Sequence, residues 1–408
     1  MKILVVKFGG TSVADPERIG NAAKKIAREI ENGFHVVAVV SAMAGVTNQL
    51  TDYCKAFGDT TKNRDFDAVL ASGEQVTAGL MALALQQMGV KARSCQSWQI
   101  PIRSSADYSD ARITNVEAEK LLSILQSDTV PVVTGFQGVT PEGDLTTLGR
   151  GGSDTSAVAL AAVLNAVRCD IYTDVDGVYT CDPRLVKQAQ KLKTVSYEEM
   201  LEMAALGAKV LHPRSVALGM KFGVPIQVLS SFEAGVGSDV PGTVITTEDS
   251  MIEEHIISGI TLSRNEAKLT LAQVPDKPGI AAAVCQPIAD AGVQVDMIVQ
   301  SASADGKTTD MTLSVPRGDL KRAVEALRKV KDFEKLEIKT AEDIAKLSLA
   351  GIGVRNNPKV PATMFKTLSE IGVNIHAIST SEVRISVLID EASGEKAAQA
   401  LHKVFIGE

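Results

Sequence analysis

Aromatic residues are scarce: they make up 4% of the 408 residues, with a single Trp. A chain so poor in flat rings has little with which to stack nucleic-acid bases. Positive charge is not in excess either. Lys and Arg number 42 against 49 Asp and Glu, a formal net charge of −7, and no basic stripe stands out, so nucleic acid is not an expected partner. Long apolar runs are missing too. The longest, Val36 to Val46, is interrupted by Ser41 and falls far short of the ~18 residues that span a bilayer, so no membrane partner is expected. The N-terminal MKILVVKFGG runs straight into a Gly pair, without the small-residue cleavage site of a signal peptide. The five cysteines (Cys54, Cys95, Cys169, Cys181 and Cys285) are scattered, none spaced C-x-x-C, and the five His are equally sparse. That pattern argues against a disulfide framework and a zinc cluster, and fits a reducing, cytoplasmic compartment.

What is present is an ordinary globular composition, 45% hydrophobic and 22% charged. At ~100–200 residues per domain, two or three domains are expected. Lys2 to Phe8 is apolar and rich in Val and Ile, which predicts a buried strand. Gly9-Gly10 breaks it. Asp15-Pro16 starts a helix, with Asp as N-cap and Pro at the first position. Ile19, Ala22, Ala23, Ile26 and Ile30 give that helix one buried face. Gly33 ends it, and His35 to Ser41 reads as the next strand. This βαβ start points to a parallel sheet covered by helices. Further on, Glu74–Met88, Ser153–Leu164, Tyr197–Gly207 and Pro213–Phe222 read as helices. Thr129–Thr134, Cys169–Thr173 and Ile226–Leu229 read as strands. The polar, acidic stretch from about Thr246 to Glu254 reads as a linker.

An internal repeat follows. Pro278 matches Pro358, Ile288 matches Leu368, Gly292-Val293 matches Gly372-Val373 and Ser301 matches Ser381, each pair offset by 80 positions. Each copy reads strand, Pro turn, helix, Gly-Val, strand, strand, helix, which is the ferredoxin-like βαββαβ order. Two packed sheets, with ligand sites at their junction, are expected.

Four constellations carry chemistry. Lys7-Phe8-Gly9-Gly10-Thr11-Ser12 delivers a Lys to a glycine turn and a helix N-terminus, an arrangement that favours an anion. A plain strand-to-helix turn with a surface Lys remains equally compatible with the residues. Leu148-Gly149-Arg150-Gly151-Gly152-Ser153-Asp154 repeats the device, with Ser153 or Asp154 able to cap the helix and Arg150 suited to bidentate capture of a carboxylate. Ser72-Gly73-Glu74 reads as a helix start, where Glu either offsets the dipole or accepts a substrate ammonium. Thr173-Asp174-Val175-Asp176-Gly177-Val178-Tyr179, with Asp182-Pro183-Arg184, is either an ordinary turn or a nucleotide-binding strand end.

At these residues the chain resembles the aspartate kinases of the amino acid kinase fold. KFGGTSV, SAMAGVTN, SGE, GRGGSDTSA, TDVDGVYTCDPR and AKVLHPR stand in the family's order. VPDKPGIAAAV, DMIVQSAS and NIHAISTSEVRISVLI resemble its paired ACT domains. The resemblance implies an α/β fold: an amino acid kinase-like α/β/α sandwich with a mainly parallel central sheet, plus two ferredoxin-like βαββαβ ACT domains. The expected boundaries are 1–246 for the catalytic domain, 247–262 for a linker and a strand joining the second ACT unit, 263–342 for the first ACT domain and 343–408 for the second. It implies ATP-dependent phosphorylation of L-aspartate to 4-phospho-L-aspartate, the first step toward lysine, threonine and methionine. Lysine and/or threonine would be the effectors, and a homo-oligomer, dimer or tetramer, would form through the ACT domains.

The resemblance assigns roles residue by residue. Lys7 and Asp154 are catalytic, Asp154 orienting Lys7. Thr47, Glu74, Arg150 and Ser153 hold aspartate, Arg150 at the α-carboxylate and Glu74 at the α-ammonium. Lys7, Gly9, Gly10, Ser41, Thr173, Asp174, Tyr179, Arg184 and Lys209 bind ATP, with Mg²⁺ held by phosphates and waters rather than by a dedicated protein site. Asp276, Gly279, Ile280 and Gln300 in the first repeat, and Asn374, Ile375, Thr380 and Glu382 in the second, form the effector regions. Lys359 stands where the family carries Gly after the Pro, and lacks glycine's access to positive φ, so the second turn is expected to differ from the first. His212 and His376 are read as structural. No homoserine dehydrogenase segment follows Glu408, so a monofunctional enzyme is expected. A kinase of the same fold acting on glutamate, N-acetylglutamate or UMP, or a non-catalytic amino-acid sensor, is the alternative. The acceptor carboxylate has an ordinary pKa near ~3.9 and is already ionised at neutral pH, so no general base is required.

Overall fold

The structure, a computed structural model, describes all residues except 59–61, 207–209, 248–255, 303–305, 335 and 408, and only the backbone of 355 and 356. The chain divides into two units: Met1–Val178 with Lys191–Ile252, and Tyr179–Gln190 with Glu253–Glu408. Much of the expected linker falls outside the described residues.

The first unit is built on an eight-stranded sheet. Across it run Thr194–Ser196, Thr243–Thr246, Ile226–Ser230, Arg168–Thr173, Ile3–Phe8, His35–Val40, Val130–Thr134 and Ala92–Cys95. Neighbours are parallel except Ile226–Ser230 with Thr243–Thr246. Every residue of Ile3–Phe8 is buried, as a central parallel strand covered on both faces requires. Leu4, Val6 and Phe8 meet Ile19, Ala23 and Ile26 of the helix Pro16–Glu31. Each of these side chains larger than Ala contributes about 1.5–3 kcal/mol on full burial. Asp15 caps this helix by accepting the N–H of Arg18 at 2.8 Å.

The helix expected from Glu74 starts ten residues earlier, at Arg64, and runs to Gln87 with Asn63 as its cap. Ser72-Gly73 is therefore helix interior. Gly73 is there for close approach: a Cβ on it would lie 2.8 Å from that of Ala42. By length and composition this helix could cross a membrane, but half of its most apolar window is buried within the protein. A small sheet, unanticipated because its strands have three or four residues, contains Ile113–Val116, Ile102–Ser104, Gln137–Val139 and Leu145–Thr147. The last strand leads directly into the glycine loop at Leu148–Gly151.

The second unit is not two packed sheets. It is one antiparallel six-stranded sheet: Ile298–Ala302, Thr308–Pro316, Gly259–Pro275, Ile338–Ala350, Arg384–Asp390 and Ala377–Thr380. The two repeats share its long central strands. Gly259–Ser263 pairs with Lys346–Ala350, while Glu266–Leu271 pairs with Met311–Pro316. A ferredoxin-like unit alone leaves sheet edges unpaired, and fusing two such edges satisfies those backbone groups. Two large apolar clusters lie in this unit, one around Leu269, Val284 and Leu313, the other around Leu347, Met364 and Leu401, with a smaller one of Met297, Ile344 and Leu388. Cys181 and Val186, from the excursion Tyr179–Gln190, belong to the latter cluster. Thr180 anchors the excursion: its carbonyl accepts the Ile260 N–H at 2.7 Å, and its hydroxyl lies 2.9 Å from His402 Nε2.

Candidate active site

The carboxyl ends of the central strands carry the charged residues. Lys7, 8% exposed, places Nζ 2.5 Å from Asp154 Oδ1. Gly10 lets the backbone close in, since a Cβ there would stand 2.9 Å from the Ala42 carbonyl oxygen. Gly10–Val13 forms only a short 3-10 turn, and the α-helix begins at Pro16. The first glycine turn thus does not present an α-helix N-terminus to the site, contrary to the sequence expectation. Ser41, on the next strand end, donates its N–H to the Phe8 carbonyl at 3.1 Å.

The second glycine loop does open an α-helix, Gly152–Val163. Its cap is Gly151, at φ 67°, with no side-chain cap. Ser153 and Asp154 lie inside the buried first turn rather than capping it, so the side chain of Asp154 is available to Lys7. Gly151 is required twice over: its φ is left-handed, and a Cβ would fall 2.2 Å from that of His212. The His212 ring fills that space and Nδ1 accepts the Arg214 N–H at 3.3 Å. Burial, helped by Arg214, lowers the His212 pKa. Ser153 packs over Gly135, where a Cβ would meet the serine side chain at 2.8 Å.

Glu74 is interior to its helix and 3% exposed. Oε1 accepts the Ala42 N–H at 2.9 Å, while Oε2 is buried without a hydrogen-bond partner among the described residues. Burial pushes its pKa up to about 7, against the opposing hydrogen bond from Ala42. A carboxylate in that state is matched by an incoming cation. Contacts link these groups: Lys7 to Asp154, Ser153 to Gly135, Gly135 N–H to the Val40 carbonyl at 3.0 Å, Gly10 to Ala42, and Ala42 to Glu74. Arg150, between Gly149 and Gly151, is exposed and has no ion pair among the described residues. Thr47 is half-buried in the first turn of the helix Val46–Lys55.

The family model for the amino acid kinases matches residues 2–230, and ACT-domain models match 269–332 and 347–405. The aspartate kinase of Pseudomonas putida is 46% identical over 407 residues, covering 99% of this chain and 98% of that protein. The aspartokinase of Thermus thermophilus is 43% identical over 406 residues, covering 99% of each chain. The chain belongs to the aspartate kinases. Among solved structures, E. coli aspartokinase III in complex with aspartate and ADP superposes with a TM-score of 0.82 at 26% identity, covering 99% of this chain and 100% of that one. The same enzyme in complex with lysine and aspartate gives 0.79 at 26% identity, with the same coverage.

In this aspartate kinase, the residues expected to meet the nucleotide fall in three places. Thr173 and Asp174 end a central strand, the Thr173 hydroxyl donating to Asp174 Oδ1 at 3.1 Å. Beside them Tyr172, Lys191, Ser230 and Glu233 line a narrow cleft. Tyr179 and Arg184 stand on the Tyr179–Gln190 excursion, where Arg184 is exposed and paired with Asp182 at 2.7 Å. Lys209 lies outside the described residues.

The residues expected to meet an effector in the first ACT domain come together. Asp276, Gly279, Ile280 and Gln300, with Lys277, Pro278 and Ala281, line a cavity of about 380 Å³, and Gly279 sits at φ 91°. The second domain differs at the matching turn. Pro358 is at φ −63° and ψ −15°, and Lys359 opens the helix directly, its N–H bonded to Asn357 Oδ1 at 3.0 Å. Asn374 and Ile375 precede the strand Ala377–Thr380, which ends at Thr380, and Glu382 lies in the turn that follows. His376 is held by Asp390, 2.7 Å away.

Sequence reasoning missed Asp67 and gave no role to Arg214. Asp67 is buried and Arg214 partly exposed, and both bind the segments around Arg150. Only the HPR portion of AKVLHPR hinted at the second.

Proposed function

We propose that this aspartate kinase transfers the γ-phosphoryl group of ATP to the side-chain carboxylate of L-aspartate. The product is 4-phospho-L-aspartate, which opens the route to lysine, threonine and methionine. The observation that carries the reading is the buried Lys7–Asp154 pair at the start of the glycine-led helix. Arg150 takes the α-carboxylate through its two-pronged guanidinium. The unpartnered Glu74 Oε2 takes the α-ammonium, with Thr47 and Ser153 completing the aspartate site. The side-chain carboxylate is then the nucleophile, already ionised. Lys7, released toward the phosphates, offsets the charge that develops on the transferring group, while Gly9, Gly10 and Ser41 line the phosphate path. Thr173 and Asp174 hold the nucleotide on the adjoining strand end. Among the described residues no cluster of three or more Asp, Glu, His or Cys could hold a metal. Mg²⁺ would come with the nucleotide, held by its phosphates and water, and would supply charge neutralisation between them.

Lysine and/or threonine act as effectors through the ACT domains, the cavity at Asp276–Ala281 and Gln300 being the favoured site. Ile298 and Ile378, on the two outer strands of the six-stranded sheet, are 54% and 42% exposed. Exposed edges of that kind support association of at least two chains through the ACT domains. Five cysteines without disulfides support a reducing, cytoplasmic location.

The deciding experiment is ADP release with aspartate, glutamate, N-acetylglutamate and UMP as acceptors, each with and without lysine, threonine and both. Aspartate-dependent turnover inhibited by lysine, threonine or the two together is expected. Turnover with another acceptor alone, or effector binding without turnover, overturns the reading.

A further inference from the structure

Asp67, one of two buried carboxylates on the helix Arg64–Gln87, takes no part in the chemistry above. It is 0% exposed, and both its oxygens are occupied. Oδ2 accepts the backbone N–H of Ser109 at 2.9 Å and of Thr147 at 2.6 Å. Oδ1 accepts the hydroxyls of Ser109 and Thr147, each at 3.1 Å. A buried carboxylate is strongly unfavourable unless its lone pairs are bonded. Here two segments far apart in sequence supply the bonds. Ser109 is held at φ 70°, a conformation uncommon outside glycine.

These segments form the seat of the loop that carries Arg150. Thr147 immediately precedes Leu148. The turn at Ser109–Ala111 lies against the loop: Ala111 donates its N–H to the Thr147 carbonyl at 3.0 Å. A Cβ on Gly149 would be 3.2 Å from both the Ser109 carbonyl oxygen and Asp110 Oδ1. Arg214 grips the same parts from the helix Pro213–Phe222. Its Nη1 donates to the Leu148 carbonyl at 2.5 Å and to Asp110 Oδ1 at 3.2 Å, and its Nη2 to the Ala111 carbonyl at 2.9 Å. Arg150 itself has no such anchor among the described residues. Its placement comes from its backbone.

We propose that Asp67 and Arg214 are positioning residues for aspartate recognition, holding the loop Leu148–Gly151 so that the Arg150 guanidinium stands ready for the α-carboxylate. The proposal rests on the assignment of Arg150 as the carboxylate ligand. A guanidinium on an unheld loop would have to be ordered by the substrate, at a cost in affinity.

Two substitutions at Asp67 separate positioning from bulk stability. Asp67→Asn keeps one oxygen for the two backbone N–H groups and turns its amide toward two hydroxyls, which rotate to accept. Asp67→Ala leaves the buried N–H groups without partners. The test uses the full chain of the wild type, Asp67→Asn, Asp67→Ala and Arg214→Met, and measures KM for aspartate, KM for ATP and hydrogen exchange of the Thr147–Gly152 amides. Asp67→Ala and Arg214→Met are expected to raise the aspartate KM by roughly tenfold or more, to change the ATP KM by less than about twofold, and to speed exchange across the loop. Asp67→Asn is expected to stay within about twofold of wild type throughout. Should Asp67→Ala fail to fold, Ser109→Ala removes one hydroxyl only and is expected to shift the aspartate KM and loop exchange in the same direction. Wild-type exchange in Asp67→Ala, equal damage from Asp67→Asn, or matched rises in both KM values would overturn the proposal. A wild type that makes no ADP with aspartate would sink the Arg150 assignment instead, and loop exchange would still decide whether Asp67 and Arg214 hold the loop.

Discussion

Glu74 Oε1 accepts the Ala42 N–H at 2.9 Å, while Oε2 of the same buried carboxylate has no hydrogen-bond partner. One oxygen ties the helix Arg64–Gln87 to the end of a central strand. The other is desolvated and unmatched among the described residues, a cost in free energy that an incoming cation would offset.

The pH dependence follows. The Glu74 pKa is raised from 4.5 to about 7 in the folded protein. Between those values the native state binds more protons than the unfolded one, so its contribution to stability falls as pH rises through that window. Glu74→Gln is expected to be the more stable protein above pH 7 without substrate, by thermal denaturation. Binding an ammonium requires ionised Glu74, so kcat/KM for aspartate is expected to rise between about pH 6 and 8 in the wild type. A Glu74→Gln variant with the same pH profile would remove Glu74 from the site.

Lys7→Ala removes the charge proposed to meet the phosphates and leaves Asp154, a largely buried carboxylate, without its partner. Turnover is expected to drop by roughly a hundredfold or more, the scale of removing one preorganised donor to a developing charge. Circular dichroism should show a folded protein. Near wild-type kcat in that variant would exclude Lys7 from phosphoryl transfer.

Arg150 is exposed and unpaired among the described residues, so Arg150→Ala should hardly move the melting temperature. Its effect belongs to binding: the aspartate KM is expected to climb by about tenfold to a hundredfold, as for loss of a bidentate charged contact. Saturation kinetics in aspartate at fixed ATP would check it. An unchanged KM counts against the clamp.

Gly151→Ala meets both a left-handed φ of 67° and a 2.2 Å clash with His212. A loss of about 1–3 kcal/mol from the backbone is expected before the clash is counted. Gly143, at φ 96° with nothing within 4 Å, is the control. Gly143→Ala should show the backbone effect alone. Equal melting temperatures for the two variants would mean that His212 moves away freely.

Local chemistry made much of this legible. Asp15-Pro16 marks a helix start because both the cap and the fixed φ act within one turn. Gly279 and Lys359 forecast two different turns because positive φ is a property of the residue itself. The strand Ile3–Phe8 is readable because a strand buried on both faces must be apolar throughout. Ser72-Gly73 misled because glycine lowers helix propensity, while its use here, close contact with Ala42, depends on a residue 31 positions away. The 3-10 turn at Gly10–Val13 misled for the converse reason: a glycine pair before Thr-Ser looks like a helix entry, although the Asp15-Pro16 signal already places the α-helix start further on, and the residues between form only a short turn.

Sequence alone determined the family, the parallel catalytic sheet, the doubled sensor and the residues that carry charge, because periodicity, turn chemistry and motif order all act over short stretches of chain. Tertiary structure alone decided which of those residues meet. The hydrogen bond of Glu74 to Ala42, the shared strands of the six-stranded sheet and the grip of Asp67 and Arg214 on the Arg150 loop all join distant segments. Such contacts arise from burial and hydrogen-bond completion in three dimensions, which no local pattern encodes.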